Sequence, residues 1–257
     1  MGRAILGGIL KAGKIPASDI MVADMNPSGL EELKNTYGVN TTLDNMQAAQ
    51  SDLLFLCVKP NVLFSVIKQI KEAVSEQTVL VSIVAGQTIA AIEAAFEKPV
   101  KLIRVMPNTP ALVGEAMAAL SLNQTMCLPE YREEVKMVTG IFDLLGKSET
   151  VPESLMDAVT AVSGSSPAYI FMLIEAMADA AVIGGMPRKQ AYTFAAQAVY
   201  GSAKMVLETG KHPGELKDMV CSPAGTTIDA VAVLEQEGFR SSIIKAMTAC
   251  MEKSKNM

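Results

Sequence analysis

The sequence predicts an α/β domain with a mostly parallel sheet, followed by an all-helical domain. Between Asp19 and about Thr150, short β-rich runs alternate with helical patterns, which is typical of βαβ units. The runs are almost continuously apolar, as strands covered on both faces by helices must be. After Pro152 such runs stop and helical spacing continues to the C-terminus. We therefore predict a first domain over residues 1–151 and a second over residues 152–257.

Four apolar runs are predicted strands of the first domain: DIMVAD (19–24), DLLFLCV (52–58), TVLVSIV (78–84) and VKLIRVM (100–106). Further strands are predicted at AMAALSL (116–122) and around 148–151. Helical spacing predicts helices over 27–37, 43–50, 61–75 and 89–96. A helix also opens the chain, where MGRAILGGILKAG places Ile5, Leu6 and Ile9 on one apolar stripe.

The second domain is predicted to contain five helices, separated by glycine and proline turns: 165–183, 188–209, 214–219, 224–237 and 239–253. Segments of these helices are apolar nearly all round, so we expect them to pack on one another or on a second subunit. The stretch 167–185 is long enough to suggest a membrane span. Glu175 and Asp179 lie on one face in its middle, which favours a buried or interface helix instead.

Composition and charge exclude several classes of function. The chain has 257 residues and a net charge of −5, with its lysines and arginines scattered, so nucleic acid is not an expected partner. No obvious secretory or transit signal opens the sequence, and we expect a cytoplasmic protein. Four cysteines lie far apart and a single histidine, His212, accompanies them. This spacing favours free thiols over a disulfide or a metal site.

Three successive predicted strands end in breakers, which are Lys59-Pro60, Ala85-Gly86 and the segment Pro107-Asn108-Thr109-Pro110. In an open parallel sheet, ligands bind beyond the carboxyl ends of the strands. Any one of these breakers alone is equally well explained as an ordinary turn. All three at the same edge of one sheet favour a ligand site.

Asp24 ends the first predicted strand, and Asn26 follows it. In dinucleotide-binding folds, an acidic residue about 20 positions after the glycine turn bonds the adenosine ribose, whereas a basic residue there accepts a 2′-phosphate. If Gly2 is the last glycine of that turn, Asp24 has the right spacing and favours NADH slightly. The alternative is that Asp24 caps the next helix.

The segment LKDMVCSPAGTTIDAV (216–231) carries the clearest polar cluster of the helical domain. Ser222, Gly225, Thr226 and Thr227 bracket a predicted helix start. Unpaired backbone N–H groups and the helix dipole favour an anion there, such as a carboxylate. The alternative is a plain serine or threonine N-cap with a glycine in the turn.

Six motifs together resemble the Δ1-pyrroline-5-carboxylate reductase family: CVKP (57–60), RVMPNTPALVGE (104–115), SGSSPAY (163–169), IGGMP (183–187), HPGELKDMVCSPAGTTIDAVAVLE (212–235) and GFRSSIIKAM (238–247). The resemblance covers essentially the whole chain. It implies an oxidoreductase that reduces the cyclic imine of pyrroline-5-carboxylate to proline with NADPH or NADH, the last step of proline biosynthesis. It also implies a Rossmann domain, a helical domain that joins subunits into homodimers, and in many members a decamer.

The resemblance assigns roles to residues. Ser222, Gly225, Thr226 and Thr227 would bind the substrate carboxylate and ring nitrogen, with Ser163 as a further substrate contact. The nicotinamide would be lined by Lys59, Pro60, Ala85, Gly86, Asn108, Thr109 and Pro110, and the rest of the cofactor would contact Gly2, Asp24 and Asn26. Ser166 and Ala224 stand where the family pattern has glycine; both are small replacements, and we expect them to affect the fine geometry of the site more than its activity.

The chemistry supports an imine substrate independently. Reduction of a ketone requires a general acid to stabilise the alkoxide, whereas a protonated imine already carries its charge. The helical half has a single histidine, His212, which is expected in a loop and is a poor candidate for this general acid. A positioned hydroxyl can then suffice, so we predict Thr227 and Ser222 as catalytic residues. Lys59 is an alternative donor, although a cofactor contact or a surface role suits it equally.

The sequence also allows two other functions. Another two-domain imine or β-hydroxyacid reductase would need a catalytic lysine on an interdomain helix, and 165–183 contains none. A non-catalytic dinucleotide-binding module would bind the cofactor without turnover.

The resemblance also places a strand and the first glycines of a G-x-G-x-x-G fingerprint before the helix that opens this chain. We therefore expect Met1 to be an internal methionine of a longer protein. On that expectation, strands 19–24 and 52–58 lack the strand that would lie between them.

Overall fold

The computed structural model describes residues 1–256 and divides into two compact units. The first unit comprises Met1–Ser165 and the residues from Met251 onward, and the second comprises Ser166–Cys250. This division falls 14 residues beyond the predicted domain boundary at 151/152, because the segment that follows the last strand groups with the sheet. Ser254 belongs to the first unit as well, where its hydroxyl donates to Asp157 at 2.6 Å.

Seven strands are found among the described residues: Met21–Ala23 (β1), Asn40–Thr42 (β2), Leu53–Leu56 (β3), Val79–Ser82 (β4), Lys101–Met106 (β5), Ala116–Leu122 (β6) and Gly146–Thr150 (β7). They form a two-stranded sheet, β1-β2, and a five-stranded sheet in the order β3-β4-β5-β6-β7. β6 runs antiparallel to β5, and the other pairs are parallel. The predicted mostly parallel α/β sheet domain is confirmed.

β1 and β3 belong to different sheets, and in the part of the chain that the structure describes no strand pairs with both. This is the arrangement expected for strands 19–24 and 52–58. β3 is therefore an edge strand of the five-stranded sheet, and it is less buried than its neighbour. All four residues of β4 are buried, whereas Leu53, Leu54 and Phe55 of β3 remain partly exposed.

Seven helices precede the second unit: Gly2–Ala12 (α1), Pro27–Tyr37 (α2), Asn45–Ala48 (α3), Leu63–Ile70 (α4), Ile89–Phe96 (α5), Arg132–Asp143 (α6) and Met156–Val159 (α7). The strand and helix patterns did not assign α6 or β2. β2 is a polar run of three residues, too short for a period-2 signal. α6 could have been found from Val138, Ile141 and Phe142, whose spacing marks the buried face of a helix.

Helices cover both faces of the five-stranded sheet. On one face, Ile5 and Ile9 of α1 pack with Val81, Ile103 and the buried residues of α6. On the other face the core is formed by α4, α5 and the facing side chains of the strands: Leu63, Ile67, Ile92, Leu80 and Leu102. The near-continuous apolar character of β4 and β5 therefore reflects burial on two sides, as the sequence predicted.

The second unit consists of helices joined by short turns: Ser166–Ile183 (α8), Arg188–Thr209 (α9), Pro213–Val220 (α10), Thr226–Gln236 (α11) and most of Phe239–Lys255 (α12). These bounds agree with the predicted helices to within two residues, and the predicted all-helical character is confirmed. Large apolar side chains on α8 and α9 are exposed, among them Ile183 at 89% and Phe194 at 66%. The structure thus leaves an extensive apolar surface on this unit.

The helical stretch Glu153–Ile183 is long and apolar enough to cross a membrane, judged by length and composition, and it is the one such stretch among residues 1–256. Core and interface helices of globular proteins meet the same criteria. Within α8 itself only Ala178 is buried, and Asp179 forms an exposed ion pair with Arg188. Of the two predicted alternatives, a buried or an interface helix, the exposed faces favour the interface.

Candidate active site in two parts

The N-terminus of α1 lies beside the carboxyl end of β3. A Cβ atom added at Gly2 would approach the Cβ atom of Cys57 to 3.2 Å, so the close approach favours glycine. The first N–H groups of a helix lack intrahelical acceptors and attract anions. The start of α1 would therefore suit an anion, and the predicted contact of Gly2 with a cofactor stays a prediction.

Asp24 and Asn26 organise the start of α2. The Asp24 carboxylate accepts a hydrogen bond from the backbone N–H of Asn26 at 2.9 Å. The Asn26 side-chain oxygen accepts from the N–H of Gly29 at 3.3 Å and from the Ser28 hydroxyl at 2.8 Å. Asn26 is therefore the N-cap residue of α2, so the alternative that Asp24 caps this helix is wrong, and Asp24 is exposed. Its predicted contact with a cofactor ribose stays a prediction.

A basic residue also reaches the start of α2, although none is adjacent to Asp24 in the sequence. Arg3 of α1 pairs with Glu32 of α2 at 2.9 Å, and its guanidinium would lie 3.4 Å from a Cβ atom placed on Gly29. The hydrogen bond that the Arg3 guanidinium donates to Glu32 raises the pKa of Arg3 above its ordinary value. Sequence reasoning missed Arg3 because no linear pattern connects it with Asp24.

The loops after β3, β4 and β5 leave the sheet at one edge. These three strands are neighbours and parallel, so their carboxyl ends carry Lys59-Pro60, Ala85-Gly86 and the segment 107–110 side by side. Gly86 has φ 72°, a left-handed conformation that favours glycine. Lys59 and Thr109 are exposed, whereas Ala85 and Pro110 are half-buried. Their predicted cofactor contacts remain predictions.

Asn108 is buried, and both ends of its amide are used within the first unit. The amide nitrogen donates to the Ser163 backbone carbonyl at 3.0 Å, and the amide oxygen accepts from the Met117 backbone N–H at 2.9 Å. The structure therefore brings together Asn108 and Ser163, two predicted site residues 55 positions apart. Asn108 shapes the loop through these bonds, and the neighbouring Thr109 offers an exposed hydroxyl. Ser163 itself lies in a π-helical turn, Thr160–Gly164.

In the second unit, a tight turn leads into α11. The Gly225 N–H donates to the Ser222 carbonyl at 3.0 Å, and a Cβ atom on Gly225 would lie only 2.3 Å from the Ser222 hydroxyl oxygen. Gly225 occupies the N-cap position, and no side chain caps the helix. The plain serine or threonine cap that the sequence left open is therefore not what forms here. The first-turn N–H groups, with the Thr226 and Thr227 hydroxyls beside them, would suit an anion, and the predicted substrate contacts of these residues stay predictions.

Comparison with known proteins decides the family. Residues 153–257 match a family model described as pyrroline-5-carboxylate reductase dimerisation. Residues 1–86 match one described as NADP oxidoreductase, coenzyme F420-dependent. The pyrroline-5-carboxylate reductase of Escherichia coli strain K12 is 49% identical over 100% of this chain and 94% of its own length. That of Methanosarcina acetivorans is 43% identical with the same coverage. The chain belongs to the pyrroline-5-carboxylate reductase family.

Solved structures agree with this assignment. The reductase of Coxiella burnetii superposes with a TM-score of 0.90 at 33% identity, covering 99% of this chain and 94% of that one. The Plasmodium falciparum enzyme, solved with NADP bound, gives 0.89 at 32% identity, covering 100% and 94%. Prephenate dehydrogenase from Aquifex aeolicus, at 12% identity and a TM-score of 0.55, shares the fold alone. The predicted family is confirmed, and with it the class of NAD(P)H-dependent oxidoreductase.

The two departures from the family pattern differ in the conformation they require. Ala224, in the turn before α11, has φ 56°, a left-handed conformation that is strained for alanine. Ser166 begins α8 and is not among the positive-φ residues of the described chain. Replacement of glycine therefore strains the backbone at Ala224 and not at Ser166.

Among residues 1–256 the structure contains no group of three His, Cys, Asp or Glu side chains placed to hold a metal ion. None of Cys57, Cys127, Cys221 and Cys250 forms a disulfide within residues 1–256.

Proposed function

We propose that this chain reduces the cyclic imine of 1-pyrroline-5-carboxylate to L-proline with a nicotinamide dinucleotide, as the last step of proline biosynthesis. The observation that carries the proposal is the uncapped start of α11, with Ser222, Thr226 and Thr227 around it, in a chain that belongs to the reductase family along its whole length. This helix start is suited to a small carboxylate.

Each group at the start of α11 has a task in this reaction. The first-turn N–H groups and the hydroxyls of Ser222 and Thr226 hold the substrate carboxylate. The Thr227 hydroxyl lies one residue further along the helix and hydrogen-bonds the ring nitrogen, which keeps its proton while the adjacent carbon accepts the hydride. Because the iminium is already charged, the step needs no strong acid. Ser163 is an additional substrate contact, and Lys59 is the alternative proton donor.

The first unit fits a dinucleotide at the carboxyl edge of its sheet. Gly2 opens a helix whose N–H groups suit a pyrophosphate, and the left-handed Gly86 allows a ligand to approach the backbone of the loop after β4. Lys59, Pro60, Ala85, Asn108, Thr109 and Pro110 complete the nicotinamide side of this proposal. When bound, the reduced nicotinamide supplies the hydride.

We infer that NADPH is preferred and that NADH is also accepted. Asp24 and Asn26 favour the ribose hydroxyls of NADH, whereas the guanidinium of Arg3 near the start of α2 provides the positive charge that a 2′-phosphate requires. The related enzyme from Plasmodium falciparum was solved with NADP bound, which supports the same preference.

Family membership makes the protein a homo-oligomer with a small-molecule substrate. We propose that the unit of assembly is a dimer formed through the exposed apolar faces of the C-terminal helices, with a decamer as the higher assembly, and that the protein acts in the cytoplasm. Light scattering coupled to size-exclusion chromatography measures the assembly directly.

The decisive experiment is steady-state kinetics with both cofactors. Oxidation of NADPH on addition of pyrroline-5-carboxylate, with proline as the product and a lower rate with NADH, is expected. Cofactor binding without turnover would contradict the proposal and favour a non-catalytic dinucleotide-binding module. Turnover of a β-hydroxyacid but not of the imine would favour another two-domain reductase.

A further inference from the structure

Glu153 makes two hydrogen bonds within the first unit that the proposed reaction does not use. One of its carboxylate oxygens accepts from the backbone N–H of Ile89 at 2.7 Å and from the guanidinium of Arg104 at 2.8 Å. The side chains of Arg104 and Glu153 are 11% and 32% exposed, so this ion pair is largely shielded from water. Shielded, charge-assisted bonds of this kind are stronger than surface pairs.

The Ile89 N–H belongs to the end of the loop that carries Ala85 and Gly86. Ile89 is the first residue of α5, where backbone N–H groups lack intrahelical partners and a carboxylate is favoured by the helix dipole. The other end of the loop is held where the Ile83 N–H donates to the Leu56 carbonyl at 3.2 Å. Glu153 therefore fastens the far end of this loop.

The segment that contains Glu153 is bonded to a second loop of the proposed cofactor edge. Ser163, ten residues further along, accepts the hydrogen bond from Asn108. The beginning of the segment is fixed to the sheet, because the Ser121 hydroxyl donates to the Val151 carbonyl at 2.7 Å. One stretch of chain, residues 151–163, thus holds both the loop after β4 and the loop after β5.

We propose that Glu153, oriented by Arg104, is a positioning residue that holds the Ala85-Gly86 loop in the shape that receives the nicotinamide end of the cofactor. The inference rests on the proposed function for the identity of that ligand. It assigns no chemical step to Glu153, which acts through the N–H of Ile89.

The test compares Glu153→Gln with Glu97→Gln in the otherwise unchanged full chain. Glu97 lies just after the opposite end of α5 and pairs with Lys71 at 2.6 Å, so the control removes a carboxylate at the other end of the same helix. Glu153→Gln is expected to weaken NADPH binding about tenfold, equivalent to ~1.4 kcal/mol, with kcat changed less than twofold. The control is expected to leave both values near those of the wild type. NADPH binding is measured by the fluorescence of the cofactor, and KM and kcat by its oxidation.

Two further variants separate positioning from folding. Glu153→Asp retains the charge but shortens the side chain, and should weaken NADPH binding to an intermediate degree. If Arg104 acts through Glu153, the double variant of Arg104→Gln and Glu153→Gln should bind NADPH no more weakly than Glu153→Gln alone. A purely structural role would instead lower the melting temperature and kcat while the affinity for NADPH stayed at the wild-type value, and that result would overturn the inference.

The two proposals fail in different ways. A wild-type chain that binds NADPH but does not reduce pyrroline-5-carboxylate contradicts the proposed function, and the fluorescence titrations still decide the role of Glu153. An active wild type with equal NADPH affinities in Glu153→Gln and Glu97→Gln overturns the role of Glu153 alone. Absence of NADPH binding to the wild type overturns both.

Discussion

The two compact units differ in how their apolar side chains are used. In the first unit, strands β4 and β5 are buried between α1 and α6 on one face and α4 and α5 on the other. In the second unit, side chains of comparable size on α8 and α9 remain exposed. The sheet is covered on both faces, so its core is complete within one chain. The helices α8 and α9 leave apolar side chains that no other part of the described chain covers. We therefore expect the second unit to gain stability from association, in keeping with the dimerisation model that residues 153–257 match.

Paired substitutions of phenylalanine test this difference most strongly. Phe142→Ala removes a fully buried ring from the first unit and is expected to lower the free energy of unfolding by about 3–5 kcal/mol. Phe194→Ala removes an exposed ring from the second unit and should change the stability of the monomer little while weakening the dimer. Chemical denaturation and light scattering at several protein concentrations measure the two effects. A loss of monomer stability in both variants would contradict the comparison.

The two parts of the proposed site also differ, because one depends on loops of a sheet and the other on a single helix start. Thr227→Ala is expected to lower kcat about 100-fold, since it removes the hydroxyl proposed to bind the ring nitrogen. Thr227→Ser retains the hydroxyl and should restore most of the rate. Steady-state kinetics with saturating NADPH measures this, and equal rates for the alanine and serine variants would remove Thr227 from the mechanism.

On the cofactor side, Arg3→Gln is expected to raise KM for NADPH about tenfold, or ~1.4 kcal/mol, and to leave KM for NADH unchanged. The guanidinium is the group proposed to attract the 2′-phosphate. Glu32→Gln is the matched control, because it breaks the same ion pair and leaves the positive charge in place. An equal change for both cofactors in Arg3→Gln would show that Arg3 serves only the packing of α1 on α2.

The smallest expected effect concerns the turn before α11. Ala224→Gly relieves a left-handed backbone and should raise the free energy of unfolding by about 0.5–1 kcal/mol. Ser166→Gly, at the start of α8, has no such strain to relieve and should be neutral or slightly destabilising. Thermal unfolding at fixed protein concentration measures both. A gain at Ser166 equal to that at Ala224 would contradict the conformational explanation.

Local signals explain why many elements were predictable. α2 extends over the predicted residues 27–37, because Asn26 caps it, Pro27 suits its first turn and Gly38 ends it in the left-handed conformation. α9 likewise has its predicted bounds, with Pro187 before it and Gly210 after it. β2 was missed because a three-residue polar strand has no pattern of its own, whereas α6 could have been predicted from the spacing of its apolar residues.

The sequence by itself determined the fold class, the family and the three strand ends at which the proposed cofactor loops lie, since these depend on short apolar runs and on contiguous motifs. Only the tertiary structure decided which distant residues meet. It joined Asn108 to Ser163, separated by 55 positions, and Arg104 to Glu153, separated by 49, and it brought Arg3 to the start of α2. The physical reason is that hydrogen bonds and ion pairs between distant residues depend on how strands and helices pack. That packing leaves no periodicity between the partners in the linear sequence.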